Sequence, residues 1–251
     1  MNDGHGLSES SDASKLAVAR TLRSAGGRIE ALVAASAAHL KPGARFAEVG
    51  YDRGAIVLRV LEARPDTRAI ASEIQPGVVP LPAPGDVLSR LELRTGDGLA
   101  PIAAHEVSLV IMAGMGGRTI AELITRDPEL TRSLDTLVLC PSHLEAEIRP
   151  ALTSIGYGPT HERLAFERDR FYEVIVAHRA TAPISPVDPI RAAWGPRLFE
   201  HHDPLLRAFL EDAKRRFHAA FKEDLRSYLT SELKAALGHK LATLDAALAL
   251  I

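Results

Sequence analysis

Residues 107–117 read VSLVIMAGMGG, and they decide the fold. The stretch Val107–Ala113 is an almost unbroken apolar run, the pattern of a strand buried on both faces. It passes directly into Gly114, Gly116 and Gly117, three glycines in five residues. Glycine loses the most backbone freedom on folding, so such a cluster is costly to order. It makes sense where the backbone must turn sharply and pass close to something. A tight turn without function would use the same residues.

Outward from this stretch the same rhythm repeats. Short apolar runs lie at Ala44–Val49, Arg68–Ser72, Leu91–Arg94 and Thr136–Cys140. Ala55–Ala63, Arg118–Thr125 and Leu144–Ile155, between them, carry apolar residues at helical spacing. Such strand–helix alternation predicts an open parallel α/β sheet. Glu162–Phe166 and Phe171–Ala177 then flank a charged turn, Arg168-Asp169-Arg170, and predict an antiparallel hairpin. Five parallel strands followed by a hairpin resemble the class I methyltransferase layout. That layout is a Rossmann-like sheet of seven strands with the last one antiparallel.

The chain has 251 residues, enough for one large domain with or without an appendage. Its single cysteine, Cys140, excludes a disulfide-built scaffold. No apolar run approaches the roughly 18 residues of a membrane span. The polar start MNDGHGLSESSDASK has no apolar signal core, so a cytoplasmic protein is expected. Residues 1–14 read as a disordered tail. A helical pattern begins at Lys15 and is broken at Gly26-Gly27. The α/β domain is assigned to residues 15–180. The proline-rich TAPISPVDP of residues 181–189 reads as a linker. Residues 190–251 read as a helical domain of two or three antiparallel helices, starting at Asp203-Pro204 and breaking at Gly238.

Four strand ends carry the candidate chemistry. The first is Glu48-Val49-Gly50-Tyr51-Asp52-Arg53-Gly54. Gly50 and Gly54 let the backbone approach a ligand at a helix N-terminus. Asp52 stands where a dinucleotide fold needs its second glycine. Its carboxylate disfavours a pyrophosphate and favours a ligand with positive charge, such as S-adenosylmethionine. The second strand ends at Glu73-Ile74, and an acid about 20 positions past the glycine loop suits ribose hydroxyls. The third leads into Gly96-Asp97-Gly98-Leu99, where Asp97 could accept from an adenine amino group or simply cap a turn. The fourth is Ala113-Gly114-Met115-Gly116, beside the expected transfer point. Cys140 reads as a small core residue. No His or Cys spacing suits a metal, so none is assigned.

The strings EVGYDRG, IASE, TGDGL, AGMGG, LCPS and RFYEVIVA together resemble the bacterial tRNA adenine-N1 methyltransferases acting at position 22. Trp194-Gly195-Pro196-Arg197-Leu198 resembles that family's entry into its C-terminal helices. The resemblance implies a coiled-coil-like helical C-terminal domain, S-adenosylmethionine as donor and tRNA as acceptor. It implies Asp97, Gly114, Met115 and Ser142 at the reacting centre. It implies Glu48, Gly50, Tyr51, Asp52, Gly54, Glu73, Ile74, Asp97, Gly98, Leu99 and Ala113–Gly116 around the donor. The chain departs from the family at Glu48, Tyr51, Arg53, Ser108 and Ser142, and His143 could substitute for a lost Asn. Pro76, Pro80, Pro82 and Pro84 exclude the family's regular crossover helix. Another acceptor, or a donor-binding protein without catalysis, therefore stays open.

The formal charge is 30 − 32 = −2, so any RNA contact needs a local patch. Lys214-Arg215-Arg216 is the densest basic run and the candidate RNA contact. A solvated helix face with internal pairing gives the same pattern. An adenine must be unpaired or flipped out for N1 to be reached. The aromatic candidates for stacking on it are Tyr51 and Phe171-Tyr172, the latter pair also fitting a core strand.

Overall fold

The computed structural model describes residues 26–143, 145–181, 188–220 and 230–251. The expected N-terminal tail, the helix from Lys15 and most of the linker lie outside these residues. The chain forms two compact units, Gly27–Pro186 and one holding the helices after Val187.

The first unit is a seven-stranded sheet in the order β3-β2-β1-β4-β5-β7-β6. Its strands are β1 (Arg45–Val49), β2 (Arg68–Glu73), β3 (Leu91–Thr95), β4 (Leu109–Ala113), β5 (Thr136–Cys140), β6 (Tyr157–Glu167) and β7 (Arg170–Arg179). The first five pair in parallel, and β7 inserts antiparallel between β5 and β6. This is the expected seven-stranded, Rossmann-like methyltransferase sheet. Val107 and Ser108 fall outside the fourth strand; Ser108 instead accepts from Asp135 and Thr136 through its carbonyl.

Alternate strand residues feed opposite faces, as the two-residue period requires. Phe46, Ala69, Leu109, Ile111 and Val138 bury against α1 (Arg28–His39) and α2 (Ala55–Ala63). Ala47, Ile70, Val110, Met112 and Leu137 face the other way. There they meet Ile120 and Ile124 of α4 (Gly117–Arg126), and Ile148 and Leu152 of α6 (Ile148–Ser154). The β2–β3 crossover forms one four-residue helix, α3 (Gly85–Leu88). A second short helix, α5 (Pro128–Arg132), was not expected, yet Asp127 caps it and Pro128 starts it. The predicted helix 144–155 resolves into a 3₁₀ turn, Glu145–Glu147, followed by α6. Arg149 of α6 is buried between Glu162 of β6, at 2.8 Å, and Glu173 of β7. This ion triad fixes the hairpin to the helix layer.

The second unit holds α7 (Pro189–Trp194), α8 (Pro196–Glu200), α9 (Leu206–Ala220) and α10 (Ser231–Ala249). Asp188 caps α7, and Gly195, at φ 93°, separates α7 from α8. Asp203 caps the chain through Leu205 N at 2.8 Å, so α9 starts two residues past the expected Pro204. Gly238 does not break a helix: α10 runs through it, and a Cβ there would meet nothing within 4 Å. An exposed glycine costs about 1 kcal/mol in a helix, which the neighbouring turns outweigh. Among the described residues no helix is long and apolar enough to cross a membrane.

Candidate active site

The strand order reverses between β1 and β4, and ligands of open α/β sheets bind where the C-terminal ends of such strands part. A cleft of about 460 Å³ opens there. Its walls include Arg28, Glu48, Gly50, Asp52, Gly114 and Met115. A larger cavity, about 710 Å³, lies along Leu123, Arg126, Asp127 and Arg132 and holds none of the turn glycines. The smaller one, between the two glycine turns, is the candidate site.

Two glycine turns form the cleft. Gly50 has φ 73°, and a Cβ on it would stand 2.9 Å from Met115 Cε. The left-handed φ is what favours glycine here, and the β4 loop lays its methionine against it. Gly114 has φ 80°, the left-handed region that disfavours side chains. The β4 and β5 loops are joined by backbone: Ser142 N donates to Met115 O at 2.9 Å and Gly117 N to His143 O at 2.8 Å. Ser142 Oγ and His143 Nδ1 are 2.9 Å apart. A Cβ on Gly116 would stand 2.9 Å from the His143 ring.

Glu48 is 3% exposed. Its Oε2 accepts from Val57 N, in the first turn of α2, at 2.8 Å. Burial pushes its carboxyl up to about 8, against the Val57 N–H and the Arg28 charge. A cation entering the cleft would favour the ionised form. Glu73 accepts from Ile74 N at 2.8 Å and from Asp52 N at 3.4 Å, so it ties the β1 and β2 loops together. Ile74 is 60% exposed beside it.

Tyr51 is not an exposed stacking aromatic. It is 5% exposed, and its hydroxyl donates to Val78 O at 2.5 Å. Leu81 N donates to Arg53 O at 2.8 Å. The proline-rich crossover is thus strapped to the donor loop. Asp97 is not brought to the Gly114 turn. Its carboxylate pairs with Arg126 at 2.5 Å and lines the larger cavity together with Leu99. Gly98, next to it, has φ 60°, and Leu123 fills the space a Cβ would need. Lys214 pairs with Asp245 at 2.5 Å, and Arg215 and Arg216 both pair with Asp212. Among the described residues no group of His, Cys, Asp or Glu could hold a metal.

Sequence reasoning missed Arg28. It opens α1, outside the strand–helix alternation, and enters the cleft only through tertiary packing. Its guanidinium lies 5.5 Å from the centre of the Tyr172 ring. Glu30 could have marked the helix start, since its carboxylate accepts from Gly27 N at 2.9 Å.

A glycine-walled cleft at the switch point, under a sheet with one inserted antiparallel strand, defines a Rossmann-like methyltransferase domain. The model of the methyltransferase domain family matches residues 29–175, and the chain belongs to that family. A curated relative, the tRNA (adenine(22)-N(1))-methyltransferase of Bacillus subtilis, is 30% identical over 146 residues. That match covers 56% of this chain and 61% of the relative, less than two thirds of its length. The solved B. subtilis m1A22 tRNA methyltransferase TrmK superposes with a TM-score of 0.69 at 22% identity, covering 86% of this chain and 97% of the other. TrmK of M. capricolum, in complex with S-adenosyl-homocysteine, gives 0.70 at 16%, covering 87% and 97%.

Proposed function

We propose that the chain is an S-adenosylmethionine-dependent methyltransferase that methylates N1 of an adenine in tRNA, at position 22. The observation that carries the reading is the cleft between the Gly50 and Gly114 turns, where Arg28 suits the carboxylate of a zwitterion and buried Glu48, ionised by an entering cation, suits its positive end. The 30% identical relative supports the acceptor. A tRNA substrate supports a cytoplasmic location.

The residues present fit the donor. Glu48 and Asp52 suit its positive charge, Arg28 its carboxylate and Glu73 its ribose hydroxyls. Ile74 offers an apolar face for the adenine. When bound, S-adenosylmethionine supplies an electrophilic methyl group on a sulfonium. Adenine N1 attacks that carbon with its free lone pair; the N–C bond forms as the S–C bond breaks. The sulfur keeps the bonding pair, and the positive charge passes to the base. No proton must leave first, so the protein's task is alignment at near-attack distance. The Gly114–Gly116 backbone and Ser142 border the place where that charge develops, and their oxygens stabilise it.

Incubation with labelled S-adenosylmethionine and bulk tRNA, followed by nucleoside analysis, tests the reading. Label in 1-methyladenosine is expected. Label in another nucleoside would reassign the acceptor, and no label would remove the activity.

A further inference from the structure

The turn Arg168-Asp169-Arg170 closes the β6–β7 hairpin, and the donor cleft makes no use of it. Arg168 and Asp169 take φ values of 49° and 58°, both in the left-handed region. Two-residue hairpin turns of this hand favour Asn-Gly or Asp-Gly, so two non-glycine residues hold the turn under strain. The turn delivers Arg170 to the start of β7. Its guanidinium carbon lies 5.6 Å from the centre of the Tyr172 ring, and Nη2 donates to Ser142 O at 3.2 Å. Arg28 lies against the same ring at 5.5 Å. Arg28 Nη1 is also 3.6 Å from where a Cβ on Gly114 would stand. One ring therefore supports a cation inside the donor cleft and a second at its mouth, next to Ser142 and His143.

Among the described residues neither guanidinium has a carboxylate within ion-pair distance. A ring and a carbonyl steady a guanidinium without cancelling its charge. The basic run of the C-terminal helices is built the other way, with Asp212 or Asp245 on each of its three cations.

We propose that Arg170, braced on Tyr172 and joined by the exposed Arg168, is the phosphate contact of the acceptor site. It takes a phosphodiester oxygen pair of the target strand while the target base enters beside Gly114 and Ser142. A planar guanidinium fork matches phosphate geometry, and no carboxylate has to be displaced first. Tyr172 is a positioning residue. The proposal rests on the RNA-methyltransferase reading above and adds to it the surface that meets the RNA.

The test compares wild type, R168A/R170A, Y172F, Y172L and K214A/R215A/R216A. Methyl-transfer kinetics on tRNA, tRNA affinity across a salt series, and calorimetry with S-adenosylmethionine are measured for each. R168A/R170A should raise KM for tRNA about tenfold and flatten the log–log salt dependence by between about 1 and 2 units. Its kcat and donor affinity should hold. Y172F should behave as wild type, and Y172L should raise KM about threefold by releasing the guanidinium. Unchanged KM and salt slope in R168A/R170A, with wild type active, would overturn the clamp and leave the proposed activity standing. So would a loss of tRNA affinity confined to K214A/R215A/R216A, which would move the RNA surface to the helices. A folded wild type that neither binds nor methylates tRNA would remove both readings.

Discussion

On the donor side of the cleft the acids are tied to backbone. Glu48 is held by Val57 N, Glu73 by Ile74 N, and the Tyr51 hydroxyl straps the crossover down. On the other side Arg170 rests on the Tyr172 ring, whose contact with Arg28 links it to the donor cleft. In the proposed reading the first side is preorganised for one small donor, which lowers the cost of binding it, and the second keeps a charge available for a large polyanion. The hairpin that carries it is nonetheless anchored, because the Arg149 triad lies beneath.

Removing that anchor should have the largest effect. Arg149→Ala leaves Glu162 and Glu173 buried without their cation and should cost about 3–5 kcal/mol in denaturant unfolding. A loss under about 1 kcal/mol would mean the hairpin is held by other means. Next is Gly114→Val, which puts a β-branched side chain at φ 80° between the two sides. Methyl transfer should fall about a hundredfold, with circular dichroism unchanged. Near-normal turnover would show that the turn need not approach the ligand.

Glu73→Ala should weaken S-adenosylmethionine binding about thirtyfold in calorimetry and leave tRNA affinity alone. Equal losses on both sides would erase the distinction between them. Glu48 adds a pH signature. In the empty cleft its carboxyl keeps its proton up to about pH 8. A cationic donor favours the carboxylate, so binding releases a proton and affinity rises with pH until it levels above that value. Between about pH 6.5 and 8.5 the wild type should gain about twentyfold, while Glu48→Gln stays flat. A flat wild type would mean that Glu48 does not ionise for the donor. The smallest effect belongs to Lys214→Ala, whose ion pair with Asp245 is exposed on both sides and should contribute under about 1 kcal/mol to stability.

Much of the sheet was legible because its period is strict. The five apolar runs and the Arg168-Asp169-Arg170 turn marked the seven strands, and the resemblance to the class I methyltransferase layout implied the antiparallel insertion. The glycines at Gly50 and Gly114 were legible too, since few other residues tolerate those turns. Other assignments depended on neighbours far along the chain. Tyr51 looked available for stacking until the crossover carbonyl of Val78 captured its hydroxyl. Asp97 pairs with Arg126, 29 positions away, a contact that no local pattern announces. The helix runs through Gly238, where no single residue stops it, and Asp203 caps Leu205 N so that α9 begins at Leu206.

The sequence by itself determined the fold class, the glycine turns and the acids at the strand ends, because periodicity and φ preference are local properties. Only the tertiary structure decided which charges remain available. It placed an aspartate on each cation of the Lys214–Arg216 run and set Arg28 and Arg170, 142 positions apart, on one tyrosine ring. A count of charges along the chain carries no such information, because whether a guanidinium is neutralised depends on what folding brings within about 4 Å of it.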